Sequence, residues 1–175
     1  GELLKLRRVV ILSEAGSGKT KEIHQCSHRL RTEGKKAFFL RLEDVSYGVD
    51  DAFRVGTYQE FKEWQTSSEE GWLFLDSVDE SRLKDPKDFE RAIRAVHRQL
   101  EQAGARAHIV LTSRANAWRP FSDRRLCEDL LPWSPDATIV SAEKVSSSDH
   151  DQEMPTAEEE KPQGLQFFTL EDLNR

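Results

Sequence analysis

A glycine-rich segment of eight residues, 13–20 (SEAGSGKT), constrains the fold of this chain more than any other feature. It follows a short apolar run at 9–12, which predicts a strand buried on both faces. It precedes residues 20–33, whose apolar side chains recur at helical spacing. A tight turn from a buried strand into a helix is the setting of the phosphate-binding pattern G-x-x-x-x-G-K-[ST]. The segment departs from that pattern at one position, because Ser13 replaces the first glycine.

The residue types of this segment suit phosphate chemistry. Gly16 and Gly18 are expected to adopt positive φ, which lets the backbone approach a ligand closely. The loop N–H groups and the helix N-terminus would present partial positive charge to phosphate. Lys19 would reach the β- and γ-phosphates, and the Thr20 hydroxyl would bind Mg²⁺. The alternative is a glycine-rich turn followed by a chance Lys-Thr pair. The predicted nucleotide-binding residues are Ala15, Gly16, Ser17, Gly18, Lys19 and Thr20.

Acidic residues follow a second apolar run, at 72–80 (WLFLDSVDE). Asp76 lies where this predicted strand ends, and we expect it to hold Mg²⁺, through water. The next residue, Ser77, cannot act as a base, so Asp79 and Glu80 are the candidates for orienting or deprotonating an attacking water. The alternative is a strand followed by a merely acidic turn.

Polar residues also end the predicted strand at 107–111, which continues into Thr112-Ser113-Arg114. Ligands of open α/β sheets lie at the carboxyl ends of the strands. Arg114 is therefore a candidate for contacting the γ-phosphate and for stabilising charge during its transfer. The alternative is a surface arginine in an ion pair.

Strand and helix signals alternate along the chain, which predicts an α/β fold. We expect a three-layer P-loop NTPase core, with a mainly parallel sheet of about five strands flanked by helices. Thr57 to Glu60 has the sequence of a capping box and predicts the start of a short helix. Residues 137–140 and 165–170 are predicted to form a hairpin or a fifth strand. The predicted strands are 8–13, 37–42, 72–75, 107–111 and this last one, and the predicted helices are 20–33, the one after Thr57, and 85–103.

Charge divides the chain into three parts. Residues 141–162 contain seven acidic residues and two lysines, a net charge of −5 out of the −6 of the whole chain. Such a segment cannot bury enough apolar surface to offset the entropy of ordering it. We therefore predict a core at 1–140, a flexible acidic insertion at 141–164, and a terminal strand of the core with the start of a further segment at 165–175. A regulatory or docking role for the insertion is the alternative.

Composition excludes several classes of protein. No stretch approaches the roughly 18 consecutive apolar residues that a membrane span needs, so no membrane partner is expected. Cys26 and Cys127 form neither a disulfide framework nor a zinc pattern, which favours reduced thiols and a cytoplasmic location. The acidic net charge disfavours a nucleic-acid partner. An ATPase acting on nucleic acid stays an alternative because arginines recur around the third predicted helix and again later in the chain: Arg91, Arg94, Arg98, Arg106, Arg124 and Arg125.

Together, three blocks resemble the NACHT branch of the STAND P-loop NTPases. They are EAGSGKT at 14–20, FLDSVDE at 74–80 and LTSR at 111–114. The middle block is the most specific, since a small residue follows the aspartate and a hydrophobic residue then precedes an acidic pair. The resemblance spans roughly residues 8–118.

The resemblance implies a role for each candidate residue. Lys19 and Thr20 would bind phosphate and Mg²⁺, and Asp76 would be the Walker B acid. Asp79 and Glu80 would support hydrolysis, and Arg114 would be the sensor 1 arginine. These are expectations taken from the family.

The resemblance also implies a function, with ATP or ADP and Mg²⁺ as cofactors. The chain would be the ATP-binding and slowly hydrolysing core of a signalling or defence switch, excised from a longer protein that self-associates. Adenine is favoured by the family and because the guanine-reading Asn-Lys-x-Asp pattern is missing. A nucleotide-dependent scaffold without useful hydrolysis is the alternative from another class.

Overall fold

The computed structural model describes residues 2–45, 47–76, 87–100, 103–132 and 165–169. Within them the chain forms one six-stranded sheet in the order β3-β2-β4-β5-β1-β6. Five strands are parallel, and β3 pairs with β2 in the antiparallel direction. The strands are β1 (Arg8–Ser13), β2 (Lys36–Arg41), β3 (Phe53–Val55), β4 (Gly71–Asp76), β5 (Ala107–Arg114) and β6 (Gln166–Thr169).

Helices connect the strands. They are α1 (Lys19–Thr32), α2 (Leu42–Val45), α3 (Tyr58–Thr66), α4 (Asp88–Leu100) and α5 (Ser122–Leu130), and short 3₁₀ turns occur at Glu2–Lys5, Asp50–Ala52 and Gly104–Arg106. None of the helices in these ranges is long and apolar enough to cross a membrane. Both cysteines are buried free thiols, as the sequence predicted.

Alternating residues of the sheet build two separate cores. Val9, Ile11 and Phe74 pack with α1 on one face of the sheet. Val10 and Leu75 lie on the opposite face and pack with α3, α4 and α5. Because successive side chains of a strand point to opposite faces, continuous apolar strands are covered on both sides. The fold is therefore α/β, with helices on both faces of a mostly parallel sheet.

The direction of the connections explains why α1 lies apart from the later helices. The chain crosses the sheet one way from β1 to β2, and the other way from β4 to β5 and from β5 to β6. Right-handed crossovers that run in opposite directions place their helices on opposite faces. Crevices that bind ligands form at the carboxyl ends of strands where the connections diverge in this way.

Arg8 secures the opposite, amino edge of the sheet. Its side chain is buried, with the residue 5% exposed, and donates to five backbone carbonyls. Burial lowers the pKa of Arg8 to about 10, and the positive charge of Arg7 acts in the same direction. The guanidinium thus stays charged at neutral pH and ties the start of β1 to β5 and to the end of α5. The five acceptors are Arg7, Gly104, Ala107, Leu131 and Pro132.

The sheet corrects the expected strand number from about five to six. The additional strand is β3, which is too short and too polar at Arg54 to produce an apolar run. In the described ranges β6 is the terminal strand and pairs in parallel with β1, in agreement with the predicted strand at 165–170. The predicted strand at 137–140 and the predicted acidic insertion at 141–164 lie outside the described residues.

Candidate functional site

The glycine-rich loop joins β1 to α1 with two residues in the left-handed region. Gly16 has φ 73° and Gly18 has φ 84°, as predicted. A Cβ at either position would contact nothing within 4 Å, so the backbone conformation rather than space calls for glycine. Gly18 is the N-cap of α1 and supplies no side-chain cap to the first turn. The N–H groups at this helix start are thus available to an external acceptor.

Register places a row of polar side chains at the carboxyl edge of the sheet. Ser13 pairs with Arg114, and Arg41 pairs with Asp76. Each has the same parity along its strand as residues that pack against α1, so these side chains share the α1 face. The row lies where the loop enters α1. Of these residues, the sequence had singled out Asp76 and Arg114 as site residues.

Asp76 lies at the centre of this edge and accepts hydrogen bonds on both carboxylate oxygens. The Thr20 hydroxyl donates to Oδ2 at 2.8 Å, and the Thr112 hydroxyl donates to Oδ1 at 2.5 Å. Asp76 and Thr112 are both 0% exposed, whereas Thr20 is exposed. Within the described ranges Asp76 forms no ion pair. A buried carboxylate without a cation is energetically costly, so this arrangement suits a site that receives one.

The donor set fits magnesium better than a metal held entirely by protein. The part of the chain that the structure describes contains no group of three or more His, Cys, Asp or Glu that would hold a metal. Mg²⁺ usually keeps several waters and takes one or two carboxylates together with phosphate oxygens. Asp76 and the Thr20 hydroxyl match that requirement.

Lys19 is the first residue of α1 and lies beside this network in the chain. It is 8% exposed, and its side chain forms no ion pair or hydrogen bond with the other described residues. The Ser13 hydroxyl, on the neighbouring strand end, is also buried without a hydrogen-bond partner among them. We call the carboxyl edge of the sheet, where the glycine-rich loop lies, the loop edge. It therefore combines a cation and a hydroxyl that the described protein groups leave unsatisfied.

Arg114 ends β5 beside Ser13 and is followed by a turn. Its carbonyl accepts from the N–H groups of Ala117 and Trp118, both at 3.1 Å. Trp118 is buried and packs edge-on against Phe167 at 5.7 Å between ring centroids. The end of β5 is thus fixed against β6, which holds Arg114 at the same edge as Asp76.

Two further polar residues belong to this edge and were not predicted, Arg41 and Thr112. Arg41 lies on β2 next to Asp76 and forms an ion pair with Glu43. The rule that found Asp76 and Arg114, a polar residue at the end of an apolar strand, applies equally to Arg41. Asp79 and Glu80 lie outside the described residues, so their roles stay predictions.

Two cavities lie at the opposite, amino edge of the sheet, with volumes of about 530 and 430 Å³. The larger one is lined by Arg7, Glu70 and His108, among others. Arg7 donates to Glu70 at 2.5 Å and to Nε2 of His108 at 2.9 Å. A guanidinium can only donate, so Nε2 is the acceptor, and Nδ1 carries the proton and donates to Leu6. Burial lowers the pKa of His108, consistent with a neutral ring.

Comparison of the chain with models of known protein families gives no match, and comparison with curated proteins gives none either.

Proposed function

We propose that this chain binds a nucleoside triphosphate with Mg²⁺ at the carboxyl edge of its sheet and hydrolyses it slowly, as the P-loop core of a signalling or defence switch. The observation that supports this most is the network in which Thr20, next to Lys19, donates to buried Asp76. It joins the two predicted motifs, which lie 56 residues apart in the sequence. The NACHT-like assignment is part of the proposal.

Phosphate binding uses the loop and the start of α1. The two glycines in the left-handed region turn the backbone around the ligand, and the uncapped N–H groups of α1 donate to phosphate oxygens. Lys19 adds a full positive charge that no described carboxylate neutralises. The triphosphate therefore meets donors and one cation without first breaking an ion pair.

Metal binding uses Asp76 and Thr20. When bound, Mg²⁺ would neutralise charge on the phosphate oxygens. Thr20 donates its only hydroxyl proton to Asp76, so its oxygen lone pairs are free to face a cation. Asp76 contributes the negative charge, directly or through water.

Hydrolysis needs a base and a group that stabilises developing charge. Arg114, fixed at the end of β5, is the proposed stabilising cation. Asp79 and Glu80 follow Asp76 closely enough in sequence to return to the edge, and Glu80 is the proposed base. A scaffold that binds nucleotide without useful hydrolysis stays the second candidate, because Ser77 occupies the position directly after Asp76.

A nucleic-acid ATPase is less well supported. Arg91 pairs with Asp88 at 2.7 Å, and Arg94 pairs with Glu90 at 2.8 Å. Arg106 donates to the backbone carbonyls of Gln65 and Glu69. Arginines engaged in this way are poor candidates for a phosphate-binding surface.

Calorimetry with Mg·ADP tests the binding site. Lys19→Ala should weaken binding by about 100-fold or more, equivalent to about 2.7 kcal/mol. Lys21→Ala is the matched control, since Lys21 is exposed one half-turn further along α1. Equal affinities for the parent and Lys19→Ala would remove the phosphate-loop assignment.

Single-turnover hydrolysis separates the switch from the scaffold. Glu80→Gln should retain nucleotide binding and slow hydrolysis by about 10²–10⁴-fold, as loss of a general base does. A parent protein that binds ATP but shows no turnover would favour the scaffold. If Asp79→Asn slows hydrolysis while Glu80→Gln does not, Asp79 is the base.

A further inference from the structure

We propose that Thr112 is a positioning residue, which fixes the Asp76 carboxylate so that Thr20 presents its oxygen lone pairs to Mg²⁺. This inference rests on the proposed function and assigns a role to a residue that the sequence motifs left without one. Thr112 is fully buried and its hydroxyl donates to Oδ1 of Asp76, so the proposed effect of Thr112 on the metal is transmitted through that carboxylate.

The geometry shows a relay of three side chains from three different elements. Thr112 on β5 donates to Oδ1 of Asp76 on β4, and Thr20 on α1 donates to Oδ2 of the same carboxylate. Only Thr20 is exposed. The carboxylate is therefore held on its inner oxygen by a buried group and meets the ligand-facing group through its outer oxygen.

The number of protons on each hydroxyl limits the hydrogen bonds that the two threonines can donate. An ionised carboxylate only accepts hydrogen bonds, so both threonines donate, and each hydroxyl has one proton to give. The bond from Thr112 fixes the plane of the Asp76 carboxylate. With that plane fixed, Oδ2 is the acceptor that orients the Thr20 proton inward and its lone pairs outward.

Removal of the Thr112 hydroxyl should leave the strand in place. β5 is paired on both sides, with Ile11 of β1 in register with Thr112 and with β4 on the other edge. Valine has nearly the shape of threonine but has no donor. The inner oxygen of Asp76 would then be buried without its hydrogen bond, and the carboxylate would rotate to seek another donor.

The experiment compares Thr112→Val with Thr112→Ser and Ser113→Ala by calorimetry. The affinity for ADP is measured with Mg²⁺ and again in excess chelator. The ratio of the two affinities is the Mg²⁺-dependent gain in affinity. Ser113 is the matched control, since it is the next residue of β5, is equally buried, and donates to the Arg114 carbonyl instead. Thermal unfolding of every variant accompanies the titrations.

Thr112→Val should reduce the Mg²⁺-dependent gain in affinity by about tenfold, the effect of losing one hydrogen bond to a charged group. Its affinity in chelator should equal that of the parent. Thr112→Ser keeps the donor and should restore the gain, and Ser113→Ala should not change it. Should the valine variant fail to fold, Thr112→Cys replaces it, since a thiol has similar size and is only a weak donor.

Several outcomes would overturn the inference. An unchanged Mg²⁺-dependent gain in Thr112→Val would show that Thr112 does not position Asp76, while nucleotide binding by the parent would still support the proposed function. Equal losses with and without Mg²⁺, or no recovery in Thr112→Ser, would indicate a purely structural role. A parent protein that binds no nucleotide would remove the proposed function and this inference together.

Discussion

Replacing Asp76 with asparagine should separate the stability of the fold from its capacity to bind metal. Asp76 is fully buried, accepts two hydrogen bonds and has no ion pair within the described ranges. Asparagine has the same shape. Its oxygen can still accept from Thr112, and its amide group can donate to the Thr20 oxygen, whose proton can then turn to solvent.

The expected change in the free energy of unfolding follows from the cost of burying the Asp76 charge and the gain from its hydrogen bonds. Burying an ion costs several kcal/mol even after relaxation. Each hydrogen bond to a charged group returns about 1.5–3 kcal/mol, so two of them return about 3–6 kcal/mol and nearly cancel that cost. The asparagine variant keeps two neutral bonds worth about 1 kcal/mol each and avoids burying an ion. We expect the free energy of unfolding of the ligand-free variant to equal or exceed that of the parent by about 1 kcal/mol.

Bound Mg·ADP should make the parent more stable than the asparagine variant, which reverses the order expected without ligand. At 100 times its dissociation constant, Mg·ADP should stabilise the parent by about 2.7 kcal/mol if the proposed function holds. The variant would lack the negative charge proposed to bind the metal and should gain less than about 1 kcal/mol at the same ligand concentration. Urea titrations with and without Mg·ADP measure both values, provided that the m-values agree between the two proteins.

Two results would refute this reasoning. A loss of more than about 1 kcal/mol in the ligand-free variant would mean that the Asp76 charge stabilises the fold rather than awaiting a cation. Equal stabilisation of both proteins by Mg·ADP would mean that the metal, if bound, is held elsewhere.

Two further predictions concern the amino edge. Arg8→Met should lower the free energy of unfolding by about 3–5 kcal/mol, because five carbonyls lose a buried charged donor. The control Arg94→Met removes an exposed helical ion pair and should cost less than about 0.5 kcal/mol. Urea titrations measure both values. The pKa of His108 is lowered by burial, so the unfolded chain binds the proton more readily, and stability should fall as pH drops below about 6.5 through the folded pKa. His108→Gln should reduce that loss between pH 7 and 5, and an unchanged profile would contradict the assignment.

Continuous apolar runs and strong helical periodicity made most of the fold predictable. The runs that became β1, β2, β4 and β5 are buried on both faces, so tertiary context did not override their local signal. The capping box was also readable, and Thr57 and Glu60 bond to each other's backbone N–H groups as predicted. Local chemistry decides such features, which is why the sequence alone suffices.

Elements held by tertiary contacts were missed. β3 has three residues and pairs with β2 across a register shift, and Phe53 packs against Phe38 and Phe61. No local sequence pattern around Phe53 predicts that packing. The helix α5 is rich in charged residues and fully buries only Asp123 and Cys127, so its nine residues contain few apolar side chains that would mark a helix packed on the core.

Sheet order explains why the site was predicted only in part. Lys19, Thr20, Asp76 and Arg114 follow from motif spacing. Thr112 does not, because its importance depends on β5 lying between β1 and β4. Strand order is a global property that no local pattern encodes, and it alone brings the Thr112 hydroxyl next to Asp76.

The distribution of charge supports the proposal that ligand binds at the loop edge rather than at the amino edge. At the amino edge charges are satisfied within the protein: Arg7 pairs with Glu70, Lys36 with Glu69, and Arg8 with backbone carbonyls. At the loop edge, Lys19 and Asp76 are both buried, yet in the described ranges neither forms an ion pair. They also do not neutralise each other, although they belong to adjoining elements. Buried opposite charges kept apart at some cost to the fold suit a ligand that brings both an anion and a cation, and a phosphate chain with its magnesium ion is such a ligand.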